Sequence, residues 1–83
     1  MIRILFFANL REALNCSSEQ VELPSDVATI RELRNRIAQR GEPWTVLLTT
    51  KNLRAASNQS MSGMDAPVKD GDEIAFFPPV TGG

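Results

Sequence analysis

Two short segments rich in branched and aromatic residues lie near opposite ends of the 83-residue chain, at residues 2–7 and 73–77. This composition favours β-strands. In the first segment, alternation places Ile2, Ile4 and Phe6 on one face, and Arg3 and Phe7 on the other. Because these are the most hydrophobic segments of the chain, we expect the two strands to pair in parallel at the centre of one sheet.

The strongest helix signal lies between these two strands. Thr29 and Glu32 match a capping box, in which the hydroxyl and the carboxylate satisfy each other's free backbone N–H groups. Gly41 then favours a helix end. Apolar residues at helical spacing form one stripe, made of Ile30, Leu33, Ile37 and Ala38. The pattern predicts one long helix that covers one face of a sheet.

The remaining segments are less decisive. Residues 19–23 and 54–58 predict two further strands, residues 44–50 fit either a helical turn or a strand, and residues 59–65 predict a loop. Strands arranged around one long helix indicate an α+β fold. We therefore predict a β-grasp (ubiquitin-like) roll, with a mixed sheet and the helix packed on one face.

Composition excludes several functional classes. The chain has no histidine, so the common near-neutral acid/base group and the most frequent metal ligand are missing, and we expect no metal site. A net charge of −1 argues against a nucleic-acid binder. No apolar run approaches the roughly 20 residues of a membrane span. The single cysteine, Cys16, fits a reducing compartment and is interpreted as incidental, so we expect a cytoplasmic protein.

The last six residues, Pro-Pro-Val-Thr-Gly-Gly, are the most informative stretch. Two prolines end the preceding strand and stiffen the chain that leaves it. Val80 and Thr81 offer side chains to a partner, whereas Gly82 and Gly83 remove side chains near the terminal carboxylate, so that it can enter a narrow channel. The expected organisation is a domain at residues 1–79 and a flexible tail at residues 80–83.

Both ends of the chain resemble a known family. Residues 6–12 contain Phe-Phe-Ala and Arg-Glu, and residues 70–83 read Asp-Gly-Asp-Glu-Ile-Ala-Phe-Phe-Pro-Pro-Val-Thr-Gly-Gly. These motifs are similar to those of the small subunit of molybdopterin synthase, the MoaD type of ubiquitin-like sulfur carrier. The resemblance extends over the whole chain in length and element order, and it implies the same β-grasp fold.

The resemblance also implies a function. An adenylating enzyme of the ubiquitin-activating type would consume ATP to activate the carboxylate of Gly83, which sulfur then converts to a thiocarboxylate. In complex with a large catalytic subunit, the sulfur would pass to a cyclic pyranopterin precursor during molybdenum cofactor biosynthesis. The chain would bind no cofactor and would be no enzyme on its own. Two small and two large subunits are the family expectation for the complex.

The alternation of side chains along the first and last strands predicts two of the four candidate partner-binding residues. If the first and last strands are neighbours, Phe7 and Phe77 share the sheet face that the helix leaves uncovered, where paired aromatics suit an interface. The alternative is that both belong to the core. Met61 lies where the family carries an apolar contact residue, and Arg11 matches a family position that contacts the activating enzyme. Arg11 also fits a surface ion pair.

Other functions remain open at the level of sequence. Another Gly-Gly sulfur carrier could serve thiamine, cysteine or tRNA thiolation. A protein modifier would instead join its terminus to lysines, and a plain binding module would have an inert tail. The arginines between residues 31 and 40 are interpreted as the solvated face of the helix rather than as a docking patch.

Overall fold

A computed structural model describes residues 1–79 of the chain. Its strands are β1 (Ile2–Phe6), β2 (Ser18–Val21), β3 (Arg54–Ser57), β4 (Ser60–Ser62) and β5 (Glu73–Phe77). Its helices are α1 (Asn9–Leu14), α2 (Ile30–Ala38) and α3 (Val46–Thr49). Within these residues, no helix has the length and apolar character needed to cross a membrane.

The five strands form one mixed sheet in the order β2-β1-β5-β3-β4. β1 and β5 pair in parallel, with Ile4 opposite Ile74 and Phe6 opposite Phe76, whereas the other pairs are antiparallel. β5 is therefore the central strand, which confirms the expected pairing of the two most hydrophobic segments. Together with α2 on one face, this arrangement confirms the α+β roll of the β-grasp kind.

Helix α2 begins at the predicted capping box and covers one face of the sheet. The Glu32 backbone N–H donates to Thr29 Oγ1 at 3.2 Å, and the Thr29 N–H donates to Glu32 Oε1 at 3.1 Å. All four predicted stripe residues of α2 are buried. Three of them, Ile30, Leu33 and Ile37, join the inward side chains of β1 and β5 in one hydrophobic cluster. Phe6 and Phe76 stack within it, with ring centroids 6.3 Å apart.

The structure corrects two local predictions and decides a third. β2 comprises Ser18–Val21 rather than residues 19–23, and residues 44–50, which fit either a helical turn or a strand, contain the short helix α3. Residues 59–65, predicted as a loop, contain β4. The preceding turn, in which Asn58 and Gln59 both adopt positive φ angles, reverses the chain so that β4 pairs with β3. Pairing within the sheet thus overrides the low β propensity of Ser60 and Ser62.

Candidate functional site

Consecutive residues of β5 direct their side chains to opposite faces of the sheet. Phe76 is fully buried beneath α2, whereas Phe77 is half-buried on the uncovered face. Phe7 follows β1 directly, and its N–H donates to the Phe76 carbonyl at 3.2 Å, so it lies beside the end of β5. Its side chain is 45% exposed. Neither Phe7 nor Phe77 is therefore a core residue, and both contribute to the uncovered face.

An apolar row crosses the uncovered face from β1 to β4. The strand registers place Leu5 beside Ala75, Ala75 beside Ala56, and Ala56 beside Met61. Small side chains in the middle of this row leave a depression of about 430 Å³. Apolar residues around it include Leu5, Phe7, Ala56, Ala75, Phe77 and Pro78. We call these six residues and Met61 the open face. Its composition suits contact with the apolar centre of a protein partner.

A polar contact at the far end of β5 fixes the geometry of this face. The Asn58 side chain donates to Asp72 Oδ1 at 3.1 Å and accepts from the Glu73 N–H at 3.0 Å. The hydrogen bond from Asn58 holds the pKa of the Asp72 carboxyl below its usual range, with a further contribution from the Lys69 N–H. Asn58 thereby fixes the β3–β4 turn against β5 and holds Gln59 at the edge of the depression.

The comparison with protein families decides the assignment of this domain. The model of the ThiS family matches residues 4–83. The chain belongs to the ThiS family. Among characterised relatives, the molybdopterin synthase sulfur carrier subunit of Haemophilus influenzae is 45% identical, and that of Escherichia coli is 43% identical. Both alignments cover all of this chain and all of the relative.

This ThiS-family chain also matches one chain of a solved two-subunit complex. This complex is that of subunits 1 and 2 of the molybdopterin-converting factor from Helicobacter pylori. The matching chain has a TM-score of 0.65 and 26% identity, with 99% of this chain and 97% of that chain covered. The fold and the relatives together confirm the predicted membership of the ubiquitin-like β-grasp sulfur carriers.

The structure brings most of the predicted contact residues of this ThiS-family chain together. Phe7 and Phe77 border the depression, and Met61 lies two strands from Phe77 with its side chain 67% exposed. Arg11 is separate from them, since it lies on α1, where its side chain is exposed. Within residues 1–79, Arg11 makes no ion pair. The partner-binding roles of all four residues stay predictions.

The predicted tail of this ThiS-family chain, Val80, Thr81, Gly82 and Gly83, lies outside the described residues. The described chain ends with Pro78 and Pro79, directly after β5. Pro78 also borders the depression. The chain therefore continues towards its terminal carboxylate from the edge of the open face.

Sequence reasoning missed the small residues on the floor of the depression. Alternation along β1 and β5 gives Leu5 and Ala75 the same orientation as Phe7 and Phe77. Ala56, however, is placed only by the pairing of β3 with β5. Its neighbours in sequence are alanine and serine, so no local pattern distinguishes it as a surface contact.

The four arginines between residues 31 and 40 all contact other side chains of the domain. Arg31 pairs with Asp65 at 3.0 Å, Arg36 pairs with Asp26, and Arg40 pairs with Glu19 at 2.7 Å. Arg34 donates to the amide oxygen of Asn35, and desolvation by burial lowers the pKa of its guanidinium. These contacts support the interpretation of the arginines as the solvated face of the helix rather than as a docking patch.

Residues 1–79 contain no cluster of three or more histidine, cysteine or carboxylate side chains that could hold a metal ion. Among residues 1–79, Glu73 is the one ionisable side chain that lines the depression. This arrangement suits a surface that docks onto another protein.

Proposed function

We propose that this chain is the sulfur carrier subunit of a molybdopterin synthase and carries sulfur as a thiocarboxylate on Gly83. The observation that carries the proposal is the position of the open face beside the point where the chain continues towards Gly83. A partner that covers Phe7 and Phe77 lies next to Pro78, and is thus close to the tail. The full-length relatives named as sulfur carrier subunits support the same function.

The proposed chemistry begins at the Gly83 carboxylate, which is a poor electrophile. The carboxylate attacks the α-phosphorus of ATP, pyrophosphate leaves, and an acyl-adenylate forms. Hydrosulfide from a sulfur source then attacks the acyl carbon, the bond to AMP breaks, AMP leaves, and loss of the proton on sulfur gives a thiocarboxylate. The thiocarboxylate sulfur is a soft nucleophile at neutral pH, and it displaces an oxygen substituent from a carbon of the cyclic pyranopterin precursor. Water then cleaves the bond between sulfur and the acyl group, which regenerates the Gly83 carboxylate and leaves the sulfur on the precursor.

The chain contributes no catalytic side chain to these steps. It presents the reacting carboxylate, whereas the adenylating enzyme and the large subunit supply the groups that bind ATP and the precursor. We propose that these two proteins are its partners, that it binds no cofactor itself, and that it acts in the cytoplasm. The solved complex of subunits 1 and 2 from Helicobacter pylori supports the pairing with a large subunit.

The experiment that tests this function is intact-mass spectrometry. The chain is incubated with its adenylating enzyme, ATP and a sulfur source, and its mass is compared before and after. We expect a gain equal to the mass difference between sulfur and oxygen. The variant that lacks Gly83 is the control and should gain nothing. An unchanged mass with an enzyme that activates a known carrier would refute the proposed chemistry.

A further inference from the structure

Arg54 is a charged side chain on an otherwise apolar part of the uncovered face. It is the first residue of β3, and the register places it directly opposite Phe77. The next residue, Ala55, is buried in the core, so alternation directs Arg54 to the same side as Phe77. Directly opposite residues of an antiparallel pair have Cβ atoms about 5 Å apart. A partner that covers Phe77 therefore also reaches Arg54.

Arg54, like Arg11, makes no ion pair within residues 1–79, but Arg11 lies on α1, separate from the open face. Arg31, Arg36 and Arg40 pair with carboxylates, and Arg3, at the other end of the uncovered face, has Glu73 beside it in the register. Within residues 1–79, the Arg54 guanidinium makes no ion pair, no side-chain hydrogen bond and no stacking contact with an aromatic ring. Its side chain is exposed.

Docking on the open face removes water from around this guanidinium. A charge that loses its hydration without gaining a partner is costly, whereas a guanidinium that meets a carboxylate forms two parallel charge-assisted hydrogen bonds. Matched charges beside an apolar centre also select one orientation of the two proteins. A carboxylate that the partner places opposite Arg54 compensates this cost most fully.

We infer that the open face binds a protein surface with an apolar centre and an aspartate or glutamate facing Arg54. Resting on the proposed function, the partner is the large subunit of molybdopterin synthase. The ion pair forms next to Phe77 and Pro78, where the chain continues towards its terminal carboxylate. It therefore fixes the orientation in which the tail meets the large subunit.

Binding measurements on the full chain test this inference. The affinity of the purified large subunit is measured by calorimetry for the wild type, Arg54→Ala and Arg54→Glu. Arg34→Ala is the matched control, because Arg34 also lacks a carboxylate partner within residues 1–79 but lies on α2, across the sheet. We expect Arg54→Ala to raise Kd about 10-fold, Arg54→Glu to raise it further, and Arg34→Ala to leave it unchanged. Added salt should weaken the wild type more than Arg54→Ala.

A charge swap identifies the partner residue. Each aspartate and glutamate on the docking surface of the large subunit is changed to lysine, and one of these variants should restore binding to Arg54→Glu. Equal Kd values for Arg54→Ala and Arg34→Ala, or no restoring variant, would overturn the inference. So would a loss of activation by the adenylating enzyme in Arg54→Ala with unchanged binding to the large subunit. In all these cases the proposed function stands if the wild type binds the large subunit and gains sulfur. A wild type that neither binds the large subunit nor gains sulfur would refute both the proposed function and this inference.

Discussion

Phe76 and Phe77 allow fold stability and partner binding to be separated at adjacent positions. Phe76 is fully buried and stacks on Phe6, so Phe76→Ala should cost about 3–5 kcal/mol. A domain of this size has a free energy of unfolding of roughly 4–12 kcal/mol. The substitution therefore removes a large share of the stability, and it should lower Tm by roughly 12 °C or more.

Phe77→Ala should change the stability little and weaken partner binding instead. Its side chain is half-buried on the uncovered face, so truncation leaves no closed cavity and should cost less than about 1 kcal/mol of stability. In the proposed complex with the large subunit, however, the same truncation would remove an aromatic contact at the edge of the apolar depression. We expect the binding free energy to weaken by more than about 1 kcal/mol, which raises Kd about 5-fold or more.

Two assays on the same preparations separate these effects. Thermal unfolding followed by circular dichroism gives Tm, and calorimetry with the purified large subunit gives Kd. Phe7→Ala is a second variant of the open face and should behave like Phe77→Ala. A large fall in Tm for Phe77→Ala with unchanged Kd would show that Phe77 belongs to the core. It would also refute the assignment of the open face as a docking surface.

Two further predictions concern the polar contacts that hold the domain together. Thr29→Ala removes the acceptor for the Glu32 N–H and should lower the free energy of unfolding by about 1 kcal/mol in a denaturant titration. Asp72→Asn should lower Tm slightly at neutral pH, because the hydrogen bond from Asn58 favours the ionised carboxylate and lowers its pKa. That stabilisation is fully present above the ordinary carboxyl pKa of about 3.9 and is lost as the pH falls through the lower pKa of the folded state. The Tm difference between wild type and variant should therefore shrink below about pH 4.

Each of these predictions has a matched control. Thr29→Ser keeps a hydroxyl at the N-cap and should retain most of the stability that Thr29→Ala loses. Asp65→Asn is the control for Asp72→Asn. It changes another exposed carboxylate, whose surface ion pair with Arg31 contributes little to stability. If Thr29→Ala unfolds at the same denaturant concentration as the wild type, the capping box contributes nothing. A Tm difference for Asp72→Asn that persists unchanged at pH 3 would contradict the ionisation account.

The sequence predicts elements well where the local pattern and the fold agree. The capping box at Thr29 places the start of α2, and the hydrophobicity of residues 73–77 identifies the strand that the structure places at the centre of the sheet. Alternation, together with the expected pairing of the first and last strands, assigns Phe7 and Phe77 to a shared face. In each case, nearby residues carry enough information to specify the element.

Elements defined by distant contacts were harder to predict. The sequence Ser-Met-Ser of β4 has no strand pattern of its own, and it becomes a strand because the turn at Asn58 and Gln59 places it along β3. The floor of the depression has the same origin, since Ala56 lies beside Ala75 only after β3 and β5 pair. Arg54 also gains its significance from a neighbour distant in sequence, Phe77.

The central position of β5 has a consequence for the order in which the molecule assembles. Residue 3 pairs with residue 73, so the pairing at the middle of the sheet joins segments near opposite ends of the chain. Contacts this distant in sequence slow folding, and during synthesis β1 and β3 lack their shared neighbour until β5 has been made. The open face, built across β1, β5 and β3, forms in that same late step. A chain in which β5 has not yet formed therefore lacks the open face.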